Sequence, residues 1–114
     1  MSTPKQLFEN DIASHLAENA DKVAEINAAY QFDLSGDNGG TWHILLGERA
    51  PDGMPAVGEG EVEGGAQCTI SMSDENFVNL LGGNLNPTMA FMSGKIRVTG
   101  DMGLALKLQS VLGA

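Results

Sequence analysis

The stretch GKIRVTGDMGLALKLQSVL, residues 94–112, joins a short strand to a helix that is apolar around most of its circumference. Its alternating pattern predicts a strand over 95–99, and Asp101 is a good N-cap for a helix over 102–112. A helix that lies on one sheet needs an apolar stripe of little more than about 100°. This helix exceeds that width, so its second apolar side must meet the core, a dimer partner or an apolar ligand.

Three further helices are predicted upstream of this stretch. Ser73 and Asn86 are good N-caps and predict helices over 74–81 and 87–93. A capping box, Thr3-Pro-Lys-Gln, begins an amphipathic helix whose apolar side chains recur at helical spacing as far as residue 26. We expect this N-terminal helix to be continuous and to lie on a flat apolar surface.

The predicted sheet has five strands. Apolar and polar residues alternate with a period of two in four segments before the closing stretch, over residues 28–35, 41–46, 57–63 and 66–72. The segment 57–63 is the weakest of them, and it would place Glu59, Glu61 and Glu63 on one face. With the strand over 95–99, the predicted fold class is α+β, a five-stranded sheet covered on one face by helices.

The charge of the chain is strongly and unevenly acidic. Fifteen acidic and six basic residues give a formal net charge of −9. Binding to nucleic acid needs clustered Lys and Arg, and no such cluster is present, so nucleic acid is not an expected partner. Residues 1–75 carry 14 acids and 3 bases, net −11, whereas residues 76–114 carry one acid and three bases, net +2. The C-terminal third is thus the part of the chain that could approach a negatively charged surface without net repulsion.

Length and targeting signals suggest one domain in the cytoplasm. At 114 residues the chain fits a single domain over 1–114. Charged residues interrupt the N-terminal segment every few positions, so it resembles neither a signal peptide nor a transmembrane span. The chain ends in Leu-Gly-Ala, which is not a peroxisomal tripeptide. The lone Cys68 cannot form an internal disulfide and fits a reducing compartment.

The residues that could carry catalysis are few, so we expect no enzymatic activity, cofactor or metal site. His15 and His43 are 28 positions apart and match no local zinc spacing, and Cys68 has the pattern of a buried strand residue. The glycine-rich segment 58–65 is one residue too long for a dinucleotide fingerprint and carries three acids. The Gly-Lys pair at 94–95 lacks the rest of a phosphate-binding loop. An enzyme that handles acyl-CoA remains an alternative hypothesis.

The segment AQCTISMSDENFVNLLGGNLNPTMAFMSGKIRVTGDMGLALKLQSVL, residues 66–112, resembles the sterol carrier protein 2 family of nonspecific lipid-transfer domains. Its most specific parts are Cys68-Thr-Ile, Asn86-Pro, Gly94-Lys-Ile and the run that starts at Gly100-Asp-Met. Residues 1–65 match more loosely. The resemblance implies a non-catalytic carrier whose sheet and helices enclose an apolar tunnel for fatty acids, acyl-CoA, sterols or other lipids.

The tunnel residues implied by the resemblance are the apolar positions of the matching motifs. They are Phe77, Leu80, Leu81, Met89, Phe91, Met92, Ile96, Val98, Met102, Ala105, Leu106, Leu108 and Leu112. The expected partners are a lipid ligand and, transiently, a membrane surface or lipid-metabolising enzymes. The chain is expected to be a monomer or a weak dimer.

The basic residues of the C-terminal third give a further prediction. Lys95, Arg97 and Lys107 are expected to form a mildly basic rim at the tunnel mouth, where they would meet lipid phosphates. Scattered solubilising charges are the alternative. A structural protein that dimerises through its apolar C-terminal helix is the main alternative to a lipid carrier.

Overall fold

The structure of the chain, a computed structural model, describes residues 3–51 and 54–112, with side chains described as far as Gln109. These residues form a five-stranded sheet with helices packed on one face. The strand order is β3-β2-β1-β4-β5. The strands are β1 (Ala29–Ser35), β2 (Gly40–Leu45), β3 (Ala56–Glu59), β4 (Cys68–Ser73) and β5 (Arg97–Gly100). The predicted fold class and the number of strands are confirmed.

The two central strands of the sheet, β1 and β4, are parallel, and the other three pairs are antiparallel. Parallel neighbours cannot be joined by a tight hairpin, so the chain after β3 must cross the sheet. It crosses on the face opposite the helices: the Val62 amide donates to Gln31 Oε1 at 3.1 Å, and His43 Nδ1 lies 2.9 Å from the Gly60 carbonyl oxygen. This crossing leaves the other face free for the helices.

The N-terminal helix is not continuous, so that prediction is wrong. It consists of α1 (Pro4–Gln6), a π-helical turn (Leu7–Ile12), α2 (Ala13–Glu18) and α3 (Ala20–Val23). The wider π-helical turn lets two consecutive residues, Leu7 and Phe8, face the core together. Asn19 breaks the helix with φ −113° and ψ 29°, and its side-chain amide donates to the His15 carbonyl at 2.8 Å.

The predicted capping residues all form their hydrogen bonds. The Thr3 amide donates to Gln6 Oε1 at 3.1 Å and the Gln6 amide to Thr3 Oγ1 at 3.3 Å, which confirms the capping box. Ser73, Asn86 and Asp101 accept backbone amides at 3.0, 3.1 and 2.8 Å. They begin helices α4 (Asp74–Leu81), α5 (Pro87–Met92) and α6 (Met102–Leu112). A short 3-10 helix over Gly47–Arg49 follows β2.

Strand β3 is shorter than predicted. It ends at Glu59 because Gly60 adopts φ +106°, a left-handed conformation that side-chain-bearing residues rarely take. Glu61 and Glu63 therefore lie beyond the strand, and the three glutamates do not share one strand face. Both are exposed in the connection that crosses the sheet.

Four aromatic rings form the centre of the core. The ring of Phe8 stacks on Trp42 with centroids 5.0 Å apart and on Phe77 at 4.9 Å, and it meets the edge of Phe32 at 5.3 Å. The Phe8 side chain is completely buried. These contacts join the π-helical turn to β1, β2 and α4, so one side chain connects the N-terminal segment to the sheet and to the C-terminal half.

We expect Phe8→Ala to lower the free energy of unfolding by about 3–5 kcal/mol, because it removes a fully buried ring and leaves a cavity between its stacked neighbours. Urea unfolding followed by circular dichroism measures the loss. Phe91→Ala is the matched control: Phe91 is 42% exposed, so the same truncation should cost much less. Equal losses in the two variants would contradict the central role of Phe8.

Candidate functional site

An apolar cavity of about 180 Å³ lies between the sheet and helices α4, α5 and α6. Thr88 and Gln109 are the only polar residues among the described residues that line it. The described residues that line it are Phe32, Ile70, Met72, Phe77, Leu80, Leu81, Pro87, Thr88, Phe91, Ile96, Val98, Met102, Ala105, Leu106, Leu108 and Gln109. Such a wall can bind apolar groups and offers few hydrogen bonds to orient them.

Strand register and helical spacing bring this lining together. Phe32, Ile70 and Val98 are paired across β1, β4 and β5, so the three side chains form one row on the helical face of the sheet. On α4, Phe77 and the two leucines at positions 80 and 81 share one helical face, because residues three and four apart are neighbours. The cavity is the space between this row and the helices.

Helix α6 is attached to the sheet by a partly buried hydrogen bond. The hydroxyl of the fully buried Tyr30 donates to the Leu104 carbonyl oxygen at 2.7 Å. Leu108, one turn further along, is 2% exposed and packs into the core. These two contacts hold the inner side of α6 on the sheet while Ala105 and Leu106 line the cavity.

Comparison with known proteins identifies the family. The sequence profile of the SCP-2 sterol transfer family matches residues 7–113. The chain belongs to this family. Hydroxysteroid dehydrogenase-like protein 2 from Xenopus tropicalis is 42% identical over 112 residues, which are 98% of this chain and 25% of that protein. The Bos taurus protein of the same name is 44% identical over 92 residues, 81% of this chain and 21% of that protein.

Solved structures support the same assignment. Sterol Carrier Protein 2 from Yarrowia lipolytica, in its apo form, superposes with a TM-score of 0.65 at 26% identity, and the match covers 94% of this chain and 81% of that one. The resemblance predicted from residues 66–112 is thereby confirmed, and family membership supports lipid binding and transfer in general. The chain spans about a quarter or less of the length of the curated relatives that it matches.

Most of the predicted tunnel residues meet at the cavity. Ten of the thirteen belong to its lining, and contact with a lipid remains a prediction for all of them. Met89 and Met92 lie outside the lining and are 69% and 81% exposed. The side chain of Leu112 lies outside the described residues.

Six of the described lining residues are not among those predicted from the sequence. Three lie on the sheet, at Phe32, Ile70 and Met72, and the others are Pro87, Thr88 and Gln109. The alternating pattern did show that the strand residues face the buried side of the sheet. It contained no information on which part of that side is covered by helix and which part borders a cavity.

The predicted basic rim is not one cluster at the cavity. Lys95 and Arg97 line a separate polar groove with Asp33 and Ser71, whereas Lys107 lies on α6 and belongs to neither lining. Because Val98 faces the cavity, strand alternation directs Arg97 to the opposite face of the sheet. A role of these three side chains in contacting lipid phosphates stays a prediction.

The titratable groups near the core have no place in the cavity lining. Burial raises the pKa of the Cys68 thiol to about 11, with a smaller contribution from the charge of Asp101. Burial also raises the pKa of Tyr30, assisted by the charges of Cys68 and Asp101. His15 and His43 do not line the cavity either. Nothing in the described lining can take up or release a proton near neutral pH.

Two further findings concern the described residues as a set. Within residues 3–51 and 54–112, no group of three or more His, Cys, Asp and Glu side chains is arranged to hold a metal ion. No helix in the same ranges has the length and hydropathy needed to span a bilayer.

Cys68 is expected not to react with a thiol reagent in the folded protein at about pH 8, because the side chain is fully buried and its pKa of about 11 keeps it protonated. In denaturing urea the thiol returns to a pKa of about 8.5 and should react completely. The absorbance of the coloured group that the reagent releases measures the reacted fraction of Cys68, in native buffer and in urea. Fast labelling in native buffer would contradict this prediction.

The same raised pKa makes stability depend on pH. Well below about pH 8.5 the thiol is protonated in both states, whereas as the pH rises through about 8.5 the unfolded chain loses this proton first. Stability is therefore expected to fall as the pH rises towards the folded-state pKa of about 11. Urea unfolding at about pH 8 and about pH 10 should show a larger loss for the wild type than for Cys68→Ala. Equal losses of stability in the wild type and in Cys68→Ala would show that groups other than Cys68 cause the pH dependence.

Proposed function

We propose that the chain is a non-catalytic carrier that holds an acyl chain, a sterol or another apolar lipid in the cavity between the sheet and α4–α6. Residues 1–114 would act as one lipid-binding domain. The observation that carries this proposal is the cavity wall, in which Thr88 and Gln109 are the only polar residues among those the structure describes. Membership in the sterol transfer family supports it independently.

The energetics of an apolar wall suit a carrier. Moving an alkyl chain from water into such a site is favourable by about 0.8 kcal/mol for each CH₂ group. Moving the same chain from a bilayer into the site gains little, because both surroundings are apolar. The protein could therefore take a lipid from one membrane and deliver it to another without retaining it.

The size of the cavity indicates which wall would move. Its volume of about 180 Å³ is below the range of about 300–1,000 Å³ that is common for ligand sites. Helix α5 has only one buried residue, Ala90, and the outer residues of α6 are exposed. We therefore expect a long-chain lipid to displace α5 and the outer side of α6 rather than the sheet.

An acyl-CoA-handling enzyme is the weaker alternative. Catalysis would need an acid, base or nucleophile at the bound lipid, and the cavity lining includes neither His43 nor Cys68. The relatives named hydroxysteroid dehydrogenase-like are about four times as long as this chain. Any dehydrogenase activity of such proteins is thus not assigned to this domain.

Dimerisation through the C-terminal helix is the second alternative. Leu106 on α6 is 64% exposed, and a partner subunit could cover it. A monomer or weak dimer remains our expectation, with a cytoplasmic location because the free, buried Cys68 fits a reducing compartment. Native mass spectrometry of the purified chain separates a lipid-bound monomer from a lipid-free dimer.

We expect Ala105→Phe to weaken binding of a fluorescent fatty acid by at least about tenfold, because the added ring fills space that the cavity provides next to α6. Ala17→Phe is the matched control, since Ala17 is exposed on α2 and does not line the cavity. Fluorescence titration and competition with unlabelled palmitate measure affinity. Unchanged affinity in a folded Ala105→Phe protein would overturn the assignment of this cavity.

A further inference from the structure

Methionine side chains provide the oxidisable sulfur that solvent reaches in the described part of the chain. The sequence contains six methionines and one cysteine. The structure describes five of the methionine side chains, and four of these are exposed: Met54, Met89, Met92 and Met102. The fifth, Met72, is 7% exposed.

The cysteine does not compete with these methionines for a peroxide. Peroxides oxidise cysteine through its thiolate, at sites that solvent can reach. The Cys68 side chain is fully buried, and burial raises the pKa of its thiol to about 11. Near neutral pH the thiol is therefore both protonated and out of reach. A peroxide that approaches the folded protein from solvent meets thioethers first.

Met102 combines two properties that the other described methionines do not share. Two of the five, Met72 and Met102, line the cavity. Met72 is buried, whereas Met102 is 42% exposed. The other three methionines are exposed but lie outside the cavity lining. Met102 is thus the one described methionine whose side chain touches both the cavity and solvent.

The start of helix α6 places Met102 beside an apolar part of the cavity wall. The Asp101 carboxylate accepts the Gly103 amide at 2.8 Å, so the helix begins at Met102. Residues three and four positions further along a helix lie on the same face. These residues are Ala105 and Leu106, and both line the cavity. A change of polarity at Met102 therefore occurs where a bound alkyl chain would lie.

We propose that Met102 is a modification site at which hydrogen peroxide oxidises the thioether to a sulfoxide, and that this sulfoxide lowers the affinity of the cavity for apolar lipids. The inference rests on the proposed carrier function. In the reaction a sulfur lone pair attacks one peroxide oxygen, so that an S–O bond forms and the O–O bond breaks. The second oxygen leaves as water with both protons. The sulfur is oxidised by two electrons, and the peroxide is reduced.

A sulfoxide at this position suits the cavity poorly. Burying a polar group without a hydrogen bond is unfavourable, and Thr88 and Gln109 are the only polar residues in the described lining. If the sulfoxide of Met102 faces the cavity, it meets an apolar wall. If it turns to solvent, an apolar side chain is lost from that wall. Both arrangements weaken the binding of an alkyl chain, and enzymatic reduction of the sulfoxide reverses the change.

The site of oxidation is tested by treating the wild type with hydrogen peroxide and mapping sulfoxides by peptide mass spectrometry. Met102 should be oxidised several times faster than Met72, because it is exposed and Met72 is not. Saturating palmitate should slow the oxidation of Met102 but not that of Met54, which lies outside the cavity lining. A Met102 rate as low as that of Met72, or no protection in a protein that binds palmitate, overturns the proposal.

The effect on binding is tested by fluorescence titration with a fatty acid before and after peroxide treatment. Treated wild type should bind about fivefold or more weakly, and treatment with methionine sulfoxide reductase should restore the affinity. Met102→Leu has no thioether at this position, so peroxide should leave its own affinity unchanged. Met54→Leu is the matched control and should show the full wild-type loss. An equal loss in treated Met102→Leu assigns the effect to other residues and overturns the proposal.

A substitution that imitates the sulfoxide gives a test without peroxide. Met102→Gln replaces the thioether with a polar group of similar length, so it should weaken fatty-acid binding by about fivefold or more. Met54→Gln makes the same change at an exposed position outside the cavity lining and should bind like the wild type. Equal affinities of the two variants contradict the proposed effect of polarity at Met102.

Failure of this inference can be told apart from failure of the carrier function. A wild type that binds no fatty acid before oxidation refutes the carrier function and this inference with it. A wild type that binds fatty acid and keeps its affinity when Met102 is fully oxidised refutes this inference alone. Circular dichroism should show an unchanged fold after treatment. An affinity loss that occurs only together with unfolding also overturns the proposal.

Discussion

The layers of the fold meet at the ring of Phe8, which lies between Trp42 and Phe77 and against the edge of Phe32. This packing joins the N-terminal segment to β1, β2 and α4. Phe32 and Phe77 also line the cavity, so the inner wall is made of close-packed rings that can move little. We therefore expect the cavity to widen on its other side, at α5 and α6, where the lining includes the exposed residues Phe91, Met102 and Leu106.

The connectivity of the sheet assigns different roles to its two faces. Because β1 and β4 are parallel, the chain after β3 must cross one face, and several contacts hold it there. The Arg49 guanidinium donates to Gln67 Oε1 and to the Gly65 carbonyl, both at 3.1 Å. The His43 ring lies over Gly58, where a Cβ would approach Nε2 to 2.6 Å. One face thus carries this connection, and the helices and the cavity occupy the other.

The parts of the fold that depend on local chemistry were predictable. Period-two alternation identified the five strands, and side-chain caps placed α4, α5 and α6 within a residue of their observed starts. The N-terminal segment was predicted less well, because the π-helical turn lies where Phe8 packs among three aromatic rings from distant parts of the chain. Helical spacing alone does not show such contacts. Strand β3 ends at Glu59 because of the conformation of Gly60. The regular spacing of the three glutamates had instead predicted a strand as far as Glu63.

For helix α6 of the candidate site, too, one property could be predicted from the sequence and another could not. The sequence indicates that α6 is apolar on more than one side, but not which side meets the core. In the structure Leu108 is 2% exposed, whereas Leu106, two residues earlier, is 64% exposed and still lines the cavity. The Tyr30 hydroxyl donates to the Leu104 carbonyl of this helix, and that contact joins residues 74 positions apart in the chain. No local sequence pattern reveals such a contact. The same helix therefore packs into the core, lines the cavity and leaves apolar surface in solvent, because its apolar residues extend around more of its circumference than one sheet can cover.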